Sequence, residues 1–334
     1  MQHWIWRAVQ LFIAAAGALA VAWVFELHNP YWAVMPIWVV SQAFREDLVI
    51  RAILRIIGTL IGAAIGLAAL YYLPNPVLLT LAVGLSVGLG TLAAFWIGTV
   101  YSYGAMMAAI TVAVVVLPAM ANHAAPLNLA VDRVWCTLIG VIAVTAATFP
   151  FTPLRGGDRL PIRANHGGVR GLKNGGVAMA CTILGMSIAL LIGDFWAVGF
   201  ALALSIFSAL MGGMPDASPA LRYILPGSAI GIAAAIVYRL IGATLELNSL
   251  GLYLLVAVFL AAGAILRANP RTTNFGLDSN MIFLLTAEVG TVGHGAFNEM
   301  SGGAAMLVAA LIVSALHRRL LPAHLAEKAR RRPA

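Results

Sequence analysis

The chain has 334 residues, 62% of them hydrophobic and 10% charged, with mean hydropathy +0.95 and formal net charge +8. Soluble domains carry about 25% charged residues, so no soluble domain fits anywhere in the sequence. The basic residues are spread over loops with no folded module to organise them, which argues against nucleic-acid binding.

Continuous runs rich in Leu, Ala and Gly predict membrane helices rather than alternating strands, at about 20 residues per crossing. Twelve spans are expected, centred near Ala16, Ile37, Ile61, Gly84, Ala109, Val141, Met186, Ala203, Ile232, Val256, Thr286 and Ala309. The first run has the outline of a signal peptide, with Arg7 ahead of it and small residues at Ala18 and Ala20. It continues to Phe25, however, and leads into more membrane segments. It reads as a span.

After that span, His28-Asn29-Pro30-Tyr31-Trp32-Ala33-Val34 is echoed by Ile192-Gly193-Asp194-Phe195-Trp196-Ala197-Val198. Further on, Gly58-Thr59-Leu60-Ile61-Gly62 is answered by Gly227-Ser228-Ala229-Ile230-Gly231. The offset is 164 at Trp32/Trp196 and 169 at Gly58/Gly227, so about five residues are inserted around 215–219. A duplication inside an apolar chain signals two copies of one membrane unit and points to a transporter. Six spans per copy preserve direction, so the expected fold is all-α polytopic, with twelve transmembrane helices in two parallel six-helix repeats. The boundaries are 1–151 for the first repeat, 152–172 for a basic cytoplasmic connector, 173–322 for the second repeat and 323–334 for a basic cytoplasmic tail. Trp32 and Trp196 suit an interfacial belt, and their matched places also suit a role in lining a path.

In the third span Arg51 and Arg55 lie one turn apart, and Gly58, Gly62 and Gly66 continue at four-residue spacing. Glycines so spaced let a neighbouring backbone approach. Gly84 and Gly88 repeat the device in the fourth span, and Gly227 and Gly231 in the ninth. Arg51 reads as a snorkelling anchor, whereas Arg55 is a turn deeper and could face a substrate. Asp132-Arg133, at the outer start of the sixth span, reads as an interfacial ion pair or as a cation offered to an organic anion. Cys136 and Cys181 fall inside spans, and neither spacing nor neighbours suggest a disulfide or a metal. Cytoplasmic segments collect Arg45, Arg51, Arg155, Arg159, Arg163, Arg170, Lys173, Arg222, Arg267, Arg271 and the arginines of the tail, which sets both termini inside.

Asp278-Ser279-Asn280 opens the eleventh span, with Ser279 as a cap and Asp278 and Asn280 as candidate substrate contacts. Glu288 is placed near the middle of that span, with Thr291 and Gly295 on its face and His294 off it. Burial of such an acid favours its neutral form, and intramembrane acids are functional by default. Aligning Thr111 with Thr286 sets Ala113 opposite Glu288, so the acid has no equivalent in the first repeat.

Three blocks together resemble the fusaric acid resistance and aromatic acid exporter family. They are Pro30-Tyr31-Trp32-Ala33-Val34, Arg51 through Gly62, and Asp132-Arg133 through Thr137-Leu138-Ile139-Gly140. The resemblance implies an inner-membrane efflux component for small, often aromatic, carboxylic acids, working beside a periplasmic adaptor protein. Many members carry a sizeable soluble domain, where this chain has only the short connector.

Energy coupling is narrowed by the absence of a Gly-x-x-x-x-Gly-Lys-Ser/Thr loop, the only lysines being Lys173 and Lys328. A proton gradient is the default, with Glu288 as coupling group and Arg55 or Arg133 as the cation for the anion. The external loops, 27–30, 73–76, 121–128, 193–194, 244–248 and 297–301, are too short to cross a periplasm at about 3.5 Å per residue, hence the expected adaptor. The remaining expectations are lipid and a small organic acid as partners, no cofactor, no enzymatic activity, and a bacterial inner-membrane location. Homo-oligomerisation is left open, and the alternative function is a non-transporting scaffold subunit of an envelope complex.

Overall fold

The computed structural model describes residues 2–122, 125–157, 168–291, 293 and 295–330. They form twelve α-helices: α1 (Gln2–Val24), α2 (Tyr31–Val40), α3 (Arg45–Tyr72), α4 (Pro76–Ile97), α5 (Ser102–Asn122), α6 (Pro126–Thr148), α7 (Gly168–Ile192), α8 (Phe195–Gly213), α9 (Ser218–Thr244), α10 (Ser249–Ala268), α11 (Thr273–Ala287) and α12 (Ala296–Arg330). Ten are long and apolar enough to cross a membrane. The chain is a polytopic helical membrane protein.

The expectation of twelve crossings is corrected at α2 and α11. Ten residues of helix reach about 15 Å and fifteen about 22 Å, against a hydrocarbon core of about 30 Å. Polar Ser41-Gln42 follows the end of α2, and α11 stops at Glu288, ahead of Gly290, Gly293 and Gly295, all at positive φ. The external segment foreseen at 297–301 lies inside α12, which also runs through the foreseen tail as far as Arg330.

Helix α2 is apolar all round, and Tyr31 through Trp38 are buried together with Val40. The carbonyls of a helix end enclosed in hydrocarbon cost several kcal/mol unless paired. Two arginines pair them, and a third bonds the two residues that follow the helix. Arg267 Nε donates to Trp38 O at 2.8 Å, Arg51 Nη1 to Val39 O at 3.0 Å, and Arg7 Nη2 to Gln42 O at 2.8 Å and Ser41 Oγ at 2.7 Å. Cations at a helix C-terminus also oppose its dipole. Arg51 and Arg267, foreseen as solvated charges, therefore turn inward as caps.

The glycine stripes set the closest helix approaches. A Cβ on Gly58 would stand 2.5 Å from Gly104 O, one on Gly62 would press on Ala108 O, and one on Gly66 would lie 3.3 Å from Val115, so α3 lies backbone to backbone on α5. Gly227 and Gly231 seat α11 against α9 in the same way, and Gly84 and Gly88 seat α7 against α4. Further contacts join α3 with α6, α9 with α12, α1 with α10, α5 with α8 and α2 with α11. The connector begins docked on the start of α3: Arg155 N donates to Glu46 Oε2 at 2.9 Å and its side chain pairs with Asp47. Its residues 158–167 lie outside the described residues, as does His294.

Among the described residues, the non-glycine positions at positive φ are Glu26, Glu246 and Glu288, at 53°, 47° and 42°. Each follows a helix C-terminus. Leu27 N to Ala22 O and Leu247 N to Gly242 O make the long return bond of a Schellman end, where glycine is the preferred residue. Glu26→Gly and Glu246→Gly are each expected to raise stability by about 1 kcal/mol, net of the added unfolded-chain entropy. Thermal unfolding in detergent reads this, and a loss of stability in both would show that the carboxylates are needed where they stand.

Candidate functional site

Helices α3 and α6 pack together, and each turns one arginine into the core. Arg55 and Arg133 are each 3% exposed. Arg55 Nη1 donates to Tyr103 Oη at 3.1 Å and contacts Met107 Sδ, both on α5. The Arg133 guanidinium sits 4.8 Å from the centre of the Trp32 ring and 3.9 Å from Met35 Sδ, both on α2. The Nε of each arginine lacks a hydrogen-bond partner. Among the described residues neither has a carboxylate at ion-pair distance. One turn along the same helices, the buried hydroxyls of Thr59 and Thr137 are also without a partner.

A buried charge without a counterion costs several kcal/mol. Aromatic faces and thioether sulfur offset only part of that cost. Two buried cations, unused donors and an indole ring suit a carboxylate borne on an aromatic body.

Asp132, also 3% exposed, does not pair with Arg133, because adjacent helical residues point in different directions. Its oxygens accept from His28 N at 2.8 Å, Asn29 N at 3.1 Å and Asn29 Nδ2 at 3.1 Å. The residue foreseen as an interfacial ion-pair partner is instead the tie between the α1–α2 link and α6.

The remaining sequence candidates fall elsewhere. Trp196 is half-buried on α8 against a second apolar cluster that includes Phe200 and Met306. Asn280 Nδ2 donates to Gly263 O at 3.0 Å, joining α11 to α10. Ser279 does not cap α11, which begins at Thr273. Asp278 stands half-buried beside Gly227.

Glu288 is corrected from mid-helix to the left-handed residue that ends α11. Thr291 therefore shares no helix face with it, and its hydroxyl donates back to Glu288 O at 2.8 Å. Arg239 Nη2 donates to the same carbonyl at 3.3 Å, while Arg239 Nε pairs with Glu299 at 3.0 Å.

The glycine contacts also correct the alignment of the halves. Gly58 meets Gly104 O and Met107 Cβ, and Gly227 meets Phe275 O and Asp278 Cβ, an offset of 171 along α5 and α11. Leu117, not Ala113, therefore takes the place of Glu288. Arg55, three residues before Gly58, has Ile224 as its counterpart.

Sequence reasoning missed Tyr103, Met107, Met35 and the Arg239–Glu299 pair. The first two were visible as residues four apart on the span that faces the glycine stripe. Among the described residues, no group of three or more His, Cys, Asp or Glu could hold a metal ion.

The chain is thus a polytopic helical membrane protein with two arginines buried in its interior. The model of the fusaric acid resistance protein family matches the chain twice, over residues 5–166 and 164–333, and the chain belongs to this family. The family is associated with membrane efflux of small acids. No curated protein and no solved structure matches the chain.

The site predicts opposite stability effects at adjacent positions. Arg133→Met and Arg55→Met remove an uncompensated buried charge and are expected to leave stability unchanged or raise it. Asp132→Ala leaves two backbone amides without their acceptor and is expected to cost about 2–4 kcal/mol. Unfolding in detergent measures both, and destabilisation by the arginine variants equal to that of Asp132→Ala would contradict the assignment.

Proposed function

We propose that the protein exports small aromatic carboxylic acids from the cytoplasm across the bacterial inner membrane, the carboxylate being held between Arg55 and Arg133. The observation that carries the reading is the buried pair of cations with neither a carboxylate partner nor a bond to Nε. Further support comes from the steps along α2. Arg51 and Arg267 stand at its inner end, the Arg51 guanidinium lies 5.2 Å from the centre of the Tyr103 ring, and the Tyr103 hydroxyl bonds Arg55. An anion entering there meets one cation after another, and the last, Arg133, has the Trp32 indole beneath it.

The halves are read as two parallel six-helix repeats with both termini cytoplasmic. The double family match supports this, as does the recurrence of helix pairs: α3 with α5 and α9 with α11, α4 with α7 and α10 with α1. Coupling to a proton gradient is assigned to Glu288, two residues before Gly290, which packs on Pro30 next to Tyr31 and Trp32. A periplasmic adaptor docking on the short outer links completes the route in an envelope of two membranes.

Arg55→Gln and Arg133→Gln are each expected to slow benzoate transport in proteoliposomes at least about tenfold, the loss of one charge-assisted bond. Glu288→Gln should keep benzoate binding while abolishing the dependence on an imposed pH gradient. Parent rates in both arginine variants would overturn the anion site, and an unchanged pH response in Glu288→Gln would move coupling elsewhere.

A further inference from the structure

A cavity of about 330 Å³ opens beside the C-terminal end of α1, between α1, α9, α10 and the segment that follows α11. Its walls include Trp23 of α1, Tyr238 of α9, and Leu252 and Tyr253 of α10; Asn248, the cap of α10, and Ser249, its first residue, stand beside them. The Trp23 and Tyr253 rings are stacked, 6.0 Å between centres and 14° apart in plane. Tyr253 is fixed there by its hydroxyl, which donates to Ala16 O at 2.7 Å. The space exceeds the roughly 150 Å³ that holds a benzene molecule and lies at the low end of ligand pockets, about 300–1,000 Å³. One aromatic ring with a short polar substituent fits within it.

Its polar components are neutral. Asn248 Oδ1 accepts from Gly251 N at 2.9 Å as the cap of α10, which leaves the side-chain amide N–H groups as donors, and Ser249 adds a hydroxyl. The cavity is also continuous in contact with the arginine pair. Gly290, at φ 87°, lines the cavity and packs so tightly on Pro30 that a Cβ would stand 2.5 Å from Pro30 Cγ. Pro30 precedes Tyr31, whose ring packs edge-on to Trp32, and Trp32 carries Arg133.

Resting on the proposed export of aromatic acids, we infer that this cavity is a second, outer binding site for the same monocarboxylate. It takes the aromatic ring between Trp23, Tyr238 and Tyr253 after the carboxylate leaves Arg133. The carboxylate then rests on the neutral donors of Asn248 and Ser249. Such bonds are roughly half as strong as those from guanidinium. Affinity for the charge therefore falls outward while the ring keeps its contact, an order that favours release.

The test uses the full chain in lipid nanodiscs and proteoliposomes, with radiolabelled phenylacetate and acetate as probes. Leu252→Trp fills the cavity. It is expected to remove one of two phenylacetate sites and to slow phenylacetate transport about tenfold, while acetate, which has no ring, moves at the parent rate. Trp23→Leu removes one stacked ring and is expected to weaken the outer phenylacetate site about fivefold, which carries the test if Leu252→Trp fails to fold. Phenylacetate transport at the parent rate in Leu252→Trp, or an equal loss for both acids, overturns the outer site. Failure of the arginine reading is seen separately. Loss of a phenylacetate site in Leu252→Trp beside parent-like transport in Arg55→Gln would leave the cavity as a binding site and remove Arg55 from the path.

Discussion

Within hydrocarbon, every backbone donor and acceptor needs a partner supplied by the protein itself, and α2 meets that demand under unusual conditions. It is short, apolar on all sides and enclosed, and groups at both of its ends are bonded to other helices. At the C-terminal end the need draws in Arg7, Arg51 and Arg267 from α1, α3 and α10. Ahead of the N-terminal end, the amides of His28 and Asn29 require Asp132 of α6. Four helices are thus fixed around α2 by polar bonds rather than by apolar packing alone. Cations are thereby committed to the interior of a chain that carries very few charges.

The halves satisfy charge differently. In the second, Arg239 has Glu299 at 3.0 Å and the counterpart of Arg55 is Ile224. In the first, Arg55 and Arg133 have soft and aromatic neighbours and, among the described residues, no counterion. Buried charge of that kind works against stability, so its presence is better explained by an anion that visits than by the fold. On the proposed reading one chain carries one anion path, which follows α2 and leaves the second half as its structural complement.

Much of the fold was legible in the sequence. Continuous apolar runs located the helices, and the spacing of Gly58, Gly62 and Gly66 marked the stripe on which α5 lies. The echo of Trp32 in Trp196 falls in the two segments that the family model matches separately. Helix length was less legible: the apolar run around Ile37 spans only Tyr31 to Val40 before Ser41-Gln42, and a count of apolar runs took it for a full crossing. Glu288 was misplaced for a related reason. An apolar window cannot distinguish a continuing helix from one that turns left-handed at a glutamate, and the glycines at 290, 293 and 295 were the overlooked signal. Arg55 and Arg133 were visible as isolated cations in apolar spans, but their burial is a property of how α3 packs on α6.

The central claim is that a carboxylate occupies the space between Arg55 and Arg133. The most direct measurement is an experimental structure of the protein with 4-bromobenzoate, in which the bromine marks one end of the ligand and so orients it. The account predicts the carboxylate within hydrogen-bond distance of both guanidinium groups, with one or both Nε atoms engaged and the ring directed toward Trp32. A ligand bound only elsewhere, with Arg55 and Arg133 unchanged and both Nε atoms still without a partner, would contradict it.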